Sequence, residues 1–157
     1  MPDGVARLGE TGDAIVAGVE RCMPGWAVAQ VDRILVAWGE LDPAAHADAI
    51  DEARAAGIAA ARRIADELRQ LLALDPAEQA ATPLEVVRGA VREPTAVLAA
   101  AGVPPVVRDA FEERSLPDDV YGLAPRTLGE LGDESLAPLH LAWGMAKAAV
   151  LRARAAG

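Results

Sequence analysis

One cysteine, two histidines, two serines, one lysine and five aromatic residues among 157 positions leave this sequence short of most side chains that carry chemistry. With Cys22 alone no intramolecular disulfide forms, which excludes the stapled frameworks of small secreted domains and points to a reducing compartment. Ser115 and Ser135, set against His46 and His140, give no recognisable serine-histidine-acid triad and no zinc-ligand spacing. A di-iron carboxylate site needs Glu-x-x-His units, yet Pro43 stands three residues before His46 and Ala137 three before His140. The glycines form neither G-x-G-x-x-G nor a P-loop, so phosphate has no evident cradle. No cofactor is expected.

Positive charge is also scarce. Against 24 acidic residues stand 15 basic ones, giving a formal charge of −9, which argues against binding to phosphate backbones. The stretch Ala99-Ala100-Ala101-Gly102-Val103 resembles the turn of a helix-turn-helix, but Pro104, Pro105, Val106 and Val107 occupy the start of the would-be recognition helix. Nucleic acid is therefore not an expected partner. The uncharged stretch from Pro94 to Val107 is too short and proline-rich to span a bilayer, and Met1-Pro2-Asp3-Gly4 lacks the basic start of a signal peptide. The expectation is a cytoplasmic protein without membrane attachment. Arginine in place of lysine, with abundant Ala, Gly and Pro, suggests a GC-rich bacterial source.

Alanine is what the sequence has most of, at 36 residues, and it favours helix while contributing little burial per residue. With so few aromatics and so much alanine, the expected fold is all-α: a helical bundle with one long central helix at about 43–74 and a proline-punctuated wrapping arm. The chain reads as one domain, 1–157, with a long-helix half (13–74), an arm of short helices and loop (75–132) and a C-terminal helix (133–157).

Apolar spacing and breakers give the elements. Ile15, Val16, Val19, Cys22 and Met23 mark a helix over 13–23 that Pro24-Gly25 should stop. Val28, Val31, Leu35 and Trp38 share one stripe over 26–39. Asp42-Pro43 is a helix start, since the carboxylate accepts an orphan amide and proline has none to lose. Thr82-Pro83-Leu84-Glu85 matches a capping box for a helix over 83–92, followed by helices at 94–101 and 105–114. Gly102 should end the helix before it. A final helix at 134–155 presents Leu139, Ala142, Trp143 and Ala146 on one face, and the core stripe is expected from the helices at 26–39, 43–74 and 134–155.

Three places merit a functional reading. Cys22 lies on an apolar stripe and reads as a buried, inert thiol with Arg21 the only local cation. His46, Asp48, Asp51 and Glu52 form a dense cluster, but acids in the first turns of a helix also answer its dipole. The stretch from Phe111 to Leu128 holds the only phenylalanine and the only tyrosine. There Phe111, Asp118, Asp119, Tyr121 and Arg126 form the candidate interaction surface. The competing reading has Phe111, Leu116, Val120, Tyr121, Leu123 and Leu128 pin the arm to the bundle, with the acids as turn or cap residues. The leading expectation is a non-enzymatic interaction or regulatory protein that forms a homo-oligomer or meets a protein partner. The alternative is a small-ligand-binding or metal-dependent helical bundle drawing on Trp38, Trp143, His140 and the acids near His46.

Overall fold

A computed structural model of the chain describes residues 2–73, 83–125, 128–136, 152–153 and 155–157, and every regular element among them is helical. Two long helices, α1 (Pro2–Trp38) and α2 (Pro43–Leu72), form an antiparallel hairpin. Onto it dock α3 (Pro83–Arg88), a 3-10 turn (Gly89–Val91) and α4 (Arg92–Ala100). An arm then runs through α5 (Ala110–Ser115) to 3-10 turns at Leu128–Leu131 and Glu134–Leu136. The all-α bundle is as expected, although α1, at 37 residues, is longer than the 30-residue α2 whose span was the expected dominant element.

The largest departure from the sequence reading is at Pro24, which lies inside α1 instead of ending a helix there. An interior proline ordinarily costs about 3 kcal/mol through a lost hydrogen bond and a ring clash. Here Met23, Trp26 and Ala27 on either side are buried. Burial of large apolar side chains at roughly 2 kcal/mol each offsets that cost, so tertiary packing carries the helix through the proline. At the same point the hairpin helices approach each other closely. A Cβ built on Gly57 of α2 would stand 2.6 Å from the Pro24 Cα, 2.8 Å from the Met23 carbonyl oxygen and 2.9 Å from the Ala27 Cβ. Only glycine fits that crossing.

The core follows from the stripes. Ile15, Val16, Val19, Met23, Val31 and Leu35 of α1 meet Ala53, Ala60, Ala61, Ile64 and Leu68 of α2. The first half of α2 contributes mostly alanine to this contact and the second half adds the larger Ile64 and Leu68. From outside the hairpin, Val87, Val97, Leu98, Leu123, Leu131 and Leu136 complete the core. Trp26 is buried and Trp38 half-buried. Residues 137–151, including His140, Trp143 and most of the expected 134–155 helix, lie outside the described residues, as does Thr82 of the capping box. The first residues of that expected helix, Glu134–Leu136, form a 3-10 turn.

Caps set the ends. The Asp42 carboxylate accepts from the Ala45 amide at 2.8 Å, with Pro43 opening α2 as expected. Gly102, at φ 85°, ends the helix before it in the left-handed region. Its N–H donates to Ala99 and that of Val103 donates to Leu98, the paired bonds of a Schellman motif, with Leu98 and Val103 both buried beneath. The expected helix at 105–114 begins instead at Ala110. The Val106 amide is taken by the Val120 carbonyl, and the Arg108 guanidinium reaches the Leu116 carbonyl at 2.7 Å, so bonds across the arm replace the first helical turn. The segments expected at 83–92 and 94–101 are divided at the 3-10 turn, so α4 starts two residues early.

Candidate functional site

Arg63 on α2 fixes the α3–α4 segment in place. Its Nε and Nη2 reach the two Glu93 carboxylate oxygens at 3.0 and 3.1 Å, Nη2 also donates to the Gly89 carbonyl at 2.6 Å, and Nη1 reaches Glu67 at 3.2 Å. This bidentate pairing, foremost the bonds to Glu93, raises the Arg63 pKa against the opposing effect of its partial burial. The segment so anchored supplies one wall of a cavity of about 550 Å³, through Arg88, Gly89, Val91, Arg92 and Thr95. Leu116, Pro117, Asp118 and Asp119 of the arm form the other wall.

The arm holds its shape through two buried polar residues. Asp119, only 3% exposed, accepts the Leu123 amide on one carboxylate oxygen at 2.7 Å and the Ala124 amide on the other at 2.8 Å. Tyr121 is equally buried, and its hydroxyl donates to the Val103 carbonyl at 2.7 Å, tying the loop to the end of α4. Burial raises the Tyr121 pKa, so the hydroxyl stays a donor.

Two buried polar atoms in the α3–α4 segment lack partners. Arg88 Nε and Thr95 Oγ1 are buried without a hydrogen bond. An unsatisfied buried donor or hydroxyl costs roughly 1–3 kcal/mol, and both belong to residues that line the same cavity. Arg88, Arg92 and Thr95, separated by four and three residues, share one side of the α3–α4 segment.

The candidate surface read from the sequence is thereby divided. Phe111 is 72% exposed, and Asp118 is exposed on the cavity wall. Asp119 and Tyr121 are interior, because their polar atoms are committed to backbone groups of the arm, and they correct the expectation of a surface role. Arg126 lies outside the described residues. The sequence reading missed Arg88, Arg92 and Thr95; their four-three spacing was the available signal.

The other candidates have structural partners. His46 Nε2 and Asp32 Oδ1 are 2.7 Å apart and link the two hairpin helices, and among the described residues no three histidine, cysteine, aspartate or glutamate side chains gather as a metal site. Asp133 accepts from the Ser135 hydroxyl and amide and from Arg21 of α1, and these bonds, led by Ser135, hold its carboxyl below the usual range. Ser135 rests on Gly18, where a Cβ would overlap its hydroxyl.

Cys22 is half-buried. Burial, and then the negative charge of Asp133, push its thiol from the ordinary value of 9.0 up to about 11. At pH 8 an alkylating reagent is expected to react roughly two orders of magnitude more slowly than with an unperturbed thiol. The labelling rate should keep rising toward pH 11; a plateau near pH 9 would show that the thiol ionises freely. Because the folded value is the higher one, this group's contribution to stability is complete below about pH 9 and is lost as pH rises through about 11.

No described helix is long and apolar enough to cross a membrane. No protein-family model, curated protein or solved structure matches the chain.

Proposed function

We propose that this chain is a non-enzymatic interaction protein whose arm docks against a second copy of itself. The observation that carries this reading is an apolar run left in solvent: Val106 is 39% exposed, Val107 fully exposed and Phe111 72% exposed, all within six residues of an arm whose inner side is well anchored. Single exposed apolar residues are ordinary, but three in one short segment, including the chain's only phenylalanine, suit a contact. A two-fold dimer needs a self-complementary patch. Exposed Glu113 and Arg114, of opposite sign and beside Phe111 on α5, support that arrangement despite the overall charge of −9. The same charge disfavours a nucleic-acid partner, the single cysteine favours a reducing cytoplasm, and the raised Cys22 thiol is poorly suited to nucleophilic catalysis.

Light scattering after size exclusion tests the proposal. The chain should elute with twice its 16.3 kDa mass. The double variant Val107→Asp, Phe111→Asp should elute as a monomer with unchanged helical circular dichroism, since neither side chain contributes to the core. A wild-type monomer at micromolar concentration, or a dimer that survives the double substitution, overturns it.

A further inference from the structure

The cavity between the α3–α4 segment and the arm is bordered by charges of both signs that the protein does not use for itself. Arg88 and Arg92 belong to the helical wall and Asp118 to the arm wall, and none of these three side chains makes a hydrogen bond or ion pair with another described residue. Their neighbours in sequence show the contrast. Glu93, beside Arg92, is held by Arg63, and Asp119, beside Asp118, gives both carboxylate oxygens to backbone amides. Arg92 and Asp118 are exposed residues of opposite sign on facing walls, and they do not pair with each other. Neither has to release a partner to meet a ligand.

This arrangement selects among ligand charges. An anion gains at the arginine wall and meets like charge at Asp118, a cation does the reverse, and a molecule with one charge of each sign gains at both walls. Size then sets how far apart the two charges stand. About 550 Å³ lies in the range of small-molecule sites and, taken as a sphere, is roughly 10 Å across. The charges of an α-amino acid are too close together to reach both walls, whereas a chain of several methylenes with a carboxylate at one end and an ammonium at the other is long enough. Val91, Leu116 and Pro117 supply apolar lining for such a chain.

We propose that this cavity binds a short linear zwitterion, its carboxylate toward Arg92, its ammonium toward Asp118 and its methylene chain against Val91, Leu116 and Pro117. Arg88 adds positive charge to the same wall, while its buried Nε takes no part. Binding here is independent of the self-association proposed above, since Val107 and Phe111 do not line the cavity.

Isothermal titration of the full chain with ε-aminocaproate tests it, against hexanoate and hexylamine, each of which keeps the chain and lacks one of the two charges. At neutral pH and low salt ε-aminocaproate should bind about fivefold more tightly than either comparator, the scale of a solvent-screened ion pair. Arg92→Gln and Asp118→Asn alter exposed side chains without partners, so both variants should keep the wild-type melting temperature and helical circular dichroism. Arg92→Gln should bring ε-aminocaproate toward the affinity of hexylamine, and Asp118→Asn toward that of hexanoate. The proposal is overturned if ε-aminocaproate gives no binding at millimolar concentration, if either comparator binds as tightly, or if both variants bind it as the wild type does.

Discussion

Gly57→Val is expected to lower the unfolding free energy by about 4 kcal/mol, and Gly57→Ala by about 2 kcal/mol, in urea titrations followed by circular dichroism. The sign is what makes this informative. By intrinsic propensity alone, replacing an interior helical glycine with alanine stabilises by about 1 kcal/mol. At Gly57 the new Cβ meets the Pro24 Cα and the Met23 carbonyl, which belong to the backbone of α1 and yield only if the whole helix moves away. Moving α1 loosens the contacts of Met23, Trp26 and Ala27 together, so the steric cost exceeds the propensity gain. Gly25 supplies the control. It lies in α1 one residue past Pro24, is exposed, and has nothing within 4 Å of the point where a methyl group would stand. Gly25→Ala should therefore stabilise by about 0.5–1 kcal/mol. If both alanine variants stabilise, the two helices do not cross in close contact at Gly57.

Asp119→Ala is expected to cost about 3 kcal/mol, measured by urea unfolding with the near-ultraviolet signal of Tyr121 as a probe of the arm. The loss has two parts. The Leu123 and Ala124 amides lose charged acceptors at 2.7 and 2.8 Å, and the first of them is buried where water does not substitute. Asp119→Asn keeps the size but turns one acceptor into a donor facing an amide, and about 2 kcal/mol is expected for it. An unchanged unfolding midpoint for Asp119→Ala would show that Tyr121 and Val103 hold the arm without it.

Local signals in the sequence locate much of the scaffold. Asp42-Pro43 marks the start of α2 because cap and proline act within one turn, and Gly102 marks an end because its left-handed conformation is a property of that residue alone. Pro24 misleads for the complementary reason. Its penalty is local, but the packing that overcomes it comes from α2, far along the chain, at a glycine whose significance lies in what it touches. The start of α5 lies later than its sequence suggests because bonds from Val120 and Leu116 claim the residues around Pro105. In the site, Phe111 and Asp118 are legible as exposed residues, whereas Asp119 and Tyr121 carry polar atoms whose partners belong to backbone that no side-chain pattern reveals. The Asp119-Val120-Tyr121-Gly122 order, an acid followed by a glycine three residues on, is a turn signal that hints at the first of them.

The order of elements along the chain has a consequence for biosynthesis. The crossing of α1 and α2 lies within the first 72 residues, so both partners of the main apolar contact leave the ribosome before any part of the arm. Domains form from the N-terminus as synthesis proceeds, and a hairpin of adjacent helices needs only short-range loop closure. The nascent chain can thus cover its alanine-lined seam early. The segment bearing Val106, Val107 and Phe111 then emerges onto an assembled platform, which limits the time its apolar side chains spend beside an unpaired helix of their own chain.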